Sequence, residues 1–158
     1  MVKHTRGYAH RIDVAADVPA VWTAVTTSRT VALWCAPHAA VDARPGGSFR
    51  ASIDRVTETE AHIDMFVPHR RMRLIHLPSP ALPPAETAVV DDFMLDQAPG
   101  GAILRLLGSG YPVDEAWDPI YLRRRTSWER ALARLKVLVE RESRASHPTG
   151  RAAEGPRR

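Results

Sequence analysis

Asp118-Pro119-Ile120-Tyr121-Leu122-Arg123-Arg124-Arg125-Thr126-Ser127-Trp128-Glu129-Arg130-Ala131-Leu132-Ala133-Arg134-Leu135-Lys136-Val137-Leu138-Val139-Glu140 is the stretch on which the fold turns. Asp118 suits a helix N-cap, and Pro119 suits the first helical position, where no N–H is needed. Tyr121, Trp128, Leu132, Leu135 and Val139 follow at steps of seven, four, three and four residues, which is one face of a helix. The spacing predicts a helix from 118 to about 144. Arg123, Arg124, Arg125, Arg130, Arg134 and Arg141 fall mostly off that stripe, with Glu129, Glu140 and Glu142 among them, and are expected on solvated faces.

Upstream, the pattern changes period. Residues 10–15 alternate polar and apolar, as a half-buried strand does. Asp17 and Pro19 open a short helix carrying Val18, Val21, Trp22 and Val25, and a second short helix at 29–35 carries Val31, Leu33 and Trp34 until Pro37 stops it. Pro45-Gly46-Gly47 marks a turn. Strands are expected at 48–56, with Phe49, Ala51 and Ile53 on one face, at about 59–67, and at 71–77 after the tight Pro68-His69 connection. In the second of these, Ala61, Ile63 and Met65 form the better core set, opposite His62, Asp64 and Phe66. In the third, Met72, Leu74 and His76 share one face. Residues 78–84 form a proline-rich loop, 86–95 a β-rich run, and 102–108 the last strand, joined by a Pro99-Gly100-Gly101 hairpin.

The order is one strand, two short helices, about six antiparallel strands and one long helix. That is an α+β domain whose sheet has one apolar face. Only the terminal helix is large enough to cover it. A curved sheet gripping one helix leaves a wedge-shaped space between them, and such spaces are default binding sites.

Two groups of residues carry a resemblance to a known family. The first is Ile12-Asp13-Val14-Ala15-Ala16-Asp17-Val18-Pro19-Ala20-Val21-Trp22, followed by Leu33-Trp34 and Arg44-Pro45-Gly46-Gly47-Ser48-Phe49-Arg50. The second is Leu104-Arg105-Leu106-Leu107-Gly108-Ser109-Gly110-Tyr111 together with Ser127-Trp128, Leu132, Leu135-Lys136 and Val139-Glu140. Residues 8–142 resemble the START-like (SRPBCC) superfamily, and within it the bacterial single-domain proteins related to activators of the heat-shock-protein-90 ATPase. The resemblance implies a helix-grip (START/Bet v-like) fold with a deep cavity for an apolar or amphipathic ligand. It does not choose the ligand. Where the family often has histidine before the final turn, this chain has Gly108, which removes one common polar pocket group; where it often has glycine before the terminal tryptophan, it has Ser127.

Composition sets the outer limits. The chain has 158 residues, 44% of them hydrophobic and 25% charged, as a soluble single domain does. One cysteine, Cys35, excludes an intramolecular disulfide and reads as a small buried hydrophobe. No apolar run reaches membrane-span length, the opening residues lead into no signal-type stretch, and the expected location is the cytoplasm. The net charge is +4, but residues 143–158 contribute +3 of it, leaving 18 basic and 17 acidic groups in the body. We expect a domain over 1–142 and a disordered basic tail over 143–158, with no nucleic-acid partner: the clusters Arg70, Arg71, Arg73 and Arg123–Arg125 have few aromatics to accompany them.

The chemistry-bearing residues are few. The seven histidines form no close metal-ligand pair, so neither metal nor cofactor is expected. His62 and His76, on neighbouring strands, read as separate histidines. His76 either faces the cavity as an orienting or acid–base group, or sits hydrogen-bonded at its rim. Asp91 and Asp92 are adjacent on a strand, so only one can face inward. The expected ligand-binding residues are Met72, Leu74, His76, Leu104, Leu106, Trp128 and Leu132 as walls, with Trp34, Tyr111 and Trp117 near the mouth; no catalytic residue is assigned. Binding of a small hydrophobic or aromatic molecule is the leading reading. A cyclase, dehydratase or hydrolase on the same fold, using His76, is the alternative, and a chaperone-interacting module comes third. A homodimer is compatible with each.

Overall fold

The computed structural model describes residues 4–35, 38–55 and 57–146. Pro37, Val56 and the tail from residue 147 onward, on which three of the sequence readings fall, lie outside the described residues. The chain orders as β1 (Thr5–Val14), α1 (Val18–Thr26), α2 (Ser28–Trp34), β2 (Ala39–Asp42), β3 (Ser48–Ile53), β4 (Thr57–Val67), β5 (Arg71–His76), β6 (Val90–Ala98), β7 (Gly101–Pro112) and α3 (Asp118–Ser146).

The seven strands form one curved antiparallel sheet in the order β1-β7-β6-β5-β4-β3-β2. β1 and β2 are therefore its opposite edges, and α1 and α2 carry the chain from one edge to the other. Asp17 caps α1 through a bond from the Ala20 N–H, with Pro19 in the first turn, and Val21, Trp22 and Val25 point inward. The stripe of α3 packs on the sheet: Tyr121, Trp128, Leu132, Leu135 and Val139 are all buried. This is the helix-grip arrangement, with one core between a sheet and a helix.

Three readings need correction. β3 ends at Ile53 because Asp54 and Arg55 take left-handed backbone (φ 53° and 60°) to turn the chain into β4. A bulge between Ile63 and Met65 reverses the alternation of β4, so Phe66 faces Met72 and packs against Trp22 (ring centroids 5.4 Å), while Met65 pairs with Arg73. Helix α3 runs to Ser146, so the first four residues of the expected tail are helical. β2 pairs with β3 over only four residues and was not legible from Ala39-Ala40-Val41-Asp42, which lacks a strong strand signal.

Candidate functional site

Four adjacent strands, β1, β7, β6 and β5, bring a polar cluster together at one end of the grip. Tyr8 of β1 is paired with Gly108 of β7, and Gly108 with Asp91 of β6. Gly108 has no side chain, so the Tyr8 ring lies over it and its hydroxyl reaches Asp91 Oδ1. On the other side of β6, His76 at the end of β5 donates from Nε2 to Asp91 Oδ2. Tyr111 donates to the same oxygen at 3.0 Å, and its hydroxyl is 2.9 Å from that of Tyr8. The sequence suggested that Gly108 deletes a polar group. The structure replaces it, because the missing side chain makes room for a phenol from the neighbouring strand.

The electrostatics follow from burial and charge. Asp91 is fully buried, which by itself favours the neutral acid, but the facing His76 and the hydrogen bonds from His76 and Tyr8, with the charge of Arg124, outweigh it and hold its carboxyl below the usual range. An ionised carboxylate only accepts, so His76 Nε2 carries its hydrogen and the ring presents Nδ1, which is buried without a partner. Burial, then the Asp91 charge, pushes the Tyr8 and Tyr111 phenols well up, so both remain donors. Of the adjacent aspartates, Asp91 is the inward one; Asp92 takes a bidentate bond from Arg71 on the opposite face.

Arg124 completes the cluster and corrects the expectation of a solvated Arg123–Arg125 face. Arg123 and Arg125 are exposed, but Arg124 is only 2% exposed, and its guanidinium carbon lies 6.0 Å from the Tyr111 ring centroid. Its position was readable: it stands three residues after Tyr121 and four before Trp128, inside the apolar stripe.

A cleft of about 600 Å³ opens onto this cluster under the loop between β5 and β6. His76, Leu82, Pro83, Pro84, Val89 and Trp117 are among its lining residues. Trp117 is anchored by Nε1 donating to Pro84 O (3.2 Å) and stands edge-on to Tyr111. The loop returns to the sheet at Gly110, whose left-handed backbone (φ 77°) passes so close to Ala88 O that a Cβ would lie 1.9 Å from it. His76 and Trp117 are thus brought to the cleft, with Tyr111 directly behind. Met72, Leu74, Leu104, Leu106, Trp128 and Leu132 are buried in the core and do not line it. Trp34 is likewise enclosed, donating to Ala24 O and packing on Trp128, whose ring also meets Phe49 and Phe93. Cys35 is fully buried and burial pushes its thiol pKa up, which suits a small buried hydrophobe. His62 and His76 lie on opposite faces, and no cluster of three or more His, Cys, Asp or Glu suited to a metal occurs among the described residues.

A family model described as activator of Hsp90 ATPase homolog 1-like protein matches residues 15–140. The chain belongs to this family. Among solved structures, protein MLL2253 from Mesorhizobium loti is similar over 86% of this chain and 98% of its own, at 18% identity and a TM-score of 0.73. The Aha1 dimer from Colwellia psychrerythraea is similar over 85% and 96%, at 18% identity and a TM-score of 0.72. CalU16 from Micromonospora echinospora is similar over 87% and 77%, at 20% identity and a TM-score of 0.63. At these low identities, the TM-scores show a shared fold and nothing beyond it. No curated protein matches the chain by sequence. Members of this Aha1-like family vary in function, and among the described residues no helix is long and apolar enough to cross a membrane.

Proposed function

We propose that this domain binds a small, mainly apolar or aromatic molecule in the cleft under the proline-rich loop. The observation that carries the reading is His76 at that cleft: a buried ring, oriented by Asp91, whose Nδ1 has no partner, in a lining that also holds prolines, Leu82, Val89 and Trp117. Apolar walls supply most of the binding free energy, and the few polar groups fix orientation. The expected site is therefore at the end of the grip, not in a cavity between Leu104, Leu106 and Trp128. Fluorescence titration with 1-naphthol, decanol and steroid-sized probes tests it. Quenching that is lost in Trp117→Phe, and affinity about tenfold weaker in Leu82→Asp, support it. Absence of binding by the whole set overturns it.

The Asp91–His76 pair favours a second reading, acid–base catalysis on a molecule held in the same cleft. A carboxylate fixing one ring nitrogen while the other faces a bound molecule is how a histidine is prepared to move a proton. His76→Asn would then abolish turnover while leaving binding within a few-fold. Binding without turnover of any carbonyl-containing probe would remove this reading and leave the first intact.

A further inference from the structure

Arg124 is a buried cation with unfilled hydrogen-bonding capacity. Its side chain sits in the second turn of α3, between Tyr121 and Trp128, and neither Nε nor Nη1 has an acceptor. Unlike lysine, arginine cannot escape burial by losing its proton. The nearby carboxylate is already occupied: Asp91 Oδ1 accepts from Tyr8, and Oδ2 accepts from His76 and Tyr111. Asp91 thus balances the charge of Arg124 from a distance but does not fill its donors.

A second cleft supplies the space. A slot of about 150 Å³ is lined by Arg124, Thr59, Arg50 and the start of the proline-rich loop, and it shares Leu77, Pro78, Ser79 and Leu82 with the larger cleft. Thr59 is 2% exposed, and its Oγ1 is another buried polar atom without a partner. Glu58 and Glu60 also border the slot; both are exposed, and Glu58 accepts from Ser52 Oγ at 2.9 Å. The slot therefore pairs buried donors with an acidic outer rim.

We infer that the ligand of this domain is an amphipathic monocarboxylate, its anionic oxygens bound by Arg124 and Thr59 in the slot and its apolar body lying along the larger cleft toward Trp117. A carboxylate brings the acceptors that Nε and Nη1 lack, and hydrogen bonds between charged groups are about twice as strong as neutral ones. The acidic residues around the slot and Asp91 behind it favour a single negative charge over a phosphate dianion. This inference rests on the cleft being a ligand site and adds which end of the ligand is charged.

The test uses matched probes on the full chain: 1-naphthaleneacetate against 1-naphthaleneacetamide, and decanoate against decanol and decylamine, each below its aggregation limit. Titration calorimetry of the wild type should give affinities at least about tenfold higher for the carboxylates than for their neutral partners. Arg124→Met, of similar length and apolar, should erase that preference, bringing the carboxylates to the affinity of their neutral partners in the same variant. Should Arg124→Met not fold by circular dichroism, Thr59→Val is the second variant, expected to narrow the preference about threefold. Equal affinity for charged and neutral probes in the wild type, tighter binding of decylamine, or a carboxylate preference that survives in Arg124→Met or is unmoved in Thr59→Val overturns the inference while leaving the cleft as a ligand site. Binding by none of the probes overturns both.

Discussion

Tyr8 occupies the space that a side chain at Gly108 would fill: a Cβ at 108 would lie 2.4 Å from Tyr8 Cζ and 2.6 and 2.7 Å from its two neighbouring ring carbons. The contact couples β1 to β7 and, through the phenol, to β6. It explains a glycine in the middle of β7, and it carries the Tyr8 hydroxyl from β1 over one strand to Asp91 on the next.

Gly108→Ala should therefore displace the Tyr8 ring and break its bond to Asp91. We expect a loss of about 2 kcal/mol, read by urea denaturation. In a Tyr8→Ala background the same change should be neutral or slightly stabilising, because alanine is favoured over glycine once nothing opposes it. Equal losses in both backgrounds would show that the ring contact is not the reason for the glycine.

The two adjacent aspartates should respond very differently to neutralisation. Asp91→Asn turns one acceptor oxygen into a donor facing buried donors, and should cost about 3 kcal/mol. Asp92→Asn affects a pair whose arginine is partly in solvent, with side-chain exposures of 35% for Arg71 and 11% for Asp92, and should cost about 1 kcal/mol or less. Comparable destabilisation of the two would contradict their assignment to opposite faces.

The cluster also sets the pH limits of stability. Tyr8 and Tyr111 hold their protons above the ordinary phenol value of about 10, so their contribution is complete below that pH and is lost as pH rises through the folded-state values. Asp91 is shifted the opposite way, so its contribution is present above the usual carboxylate range and is lost as pH falls through its depressed folded-state value. In an alkaline titration followed by ultraviolet absorbance, Tyr8 and Tyr111 should stay un-ionised until the protein unfolds. Ionisation of Tyr8 and Tyr111 near pH 10 in the folded state, with folding checked by circular dichroism, is the contrary outcome.

Core and cleft should separate by mutation. Leu106→Ala removes a side chain with no exposure and should cost about 3 kcal/mol while leaving probe affinity unchanged. Leu82→Ala, in the loop, should do the reverse: under about 1.5 kcal/mol in stability but a several-fold loss of affinity. A mild Leu106→Ala with lost binding would place the ligand deep between α3 and the sheet instead.

Local signals made the elements of this protein legible. The stripe of α3, the Asp17 cap with Pro19, the Pro-Gly-Gly turns and the proline-rich loop each act within a few residues, so their reading needs no knowledge of neighbours. The order of elements then restricted the architecture to a sheet gripping one helix. The face assignment of Phe66 was not available this way, because a bulge changes the phase of β4 without leaving a strong residue signature. Arg124 was hidden for a different reason: its charge argued for solvent more loudly than its place in the stripe argued for burial.

The site was decided by tertiary structure. Tyr8, His76, Asp91 and Arg124 belong to three strands and a helix and form no motif, and each is unremarkable where it stands. Their meeting depends on strand register, Tyr8 opposite Gly108 and Gly108 opposite Asp91, which is set by pairings between distant segments. A shift of one residue in either pairing would turn a side chain to the other face of the sheet and dissolve the cluster. What the chain's order of residues determined alone is the grip; where the grip is polar, and which cation it leaves unfilled, only the assembled sheet and helix decide.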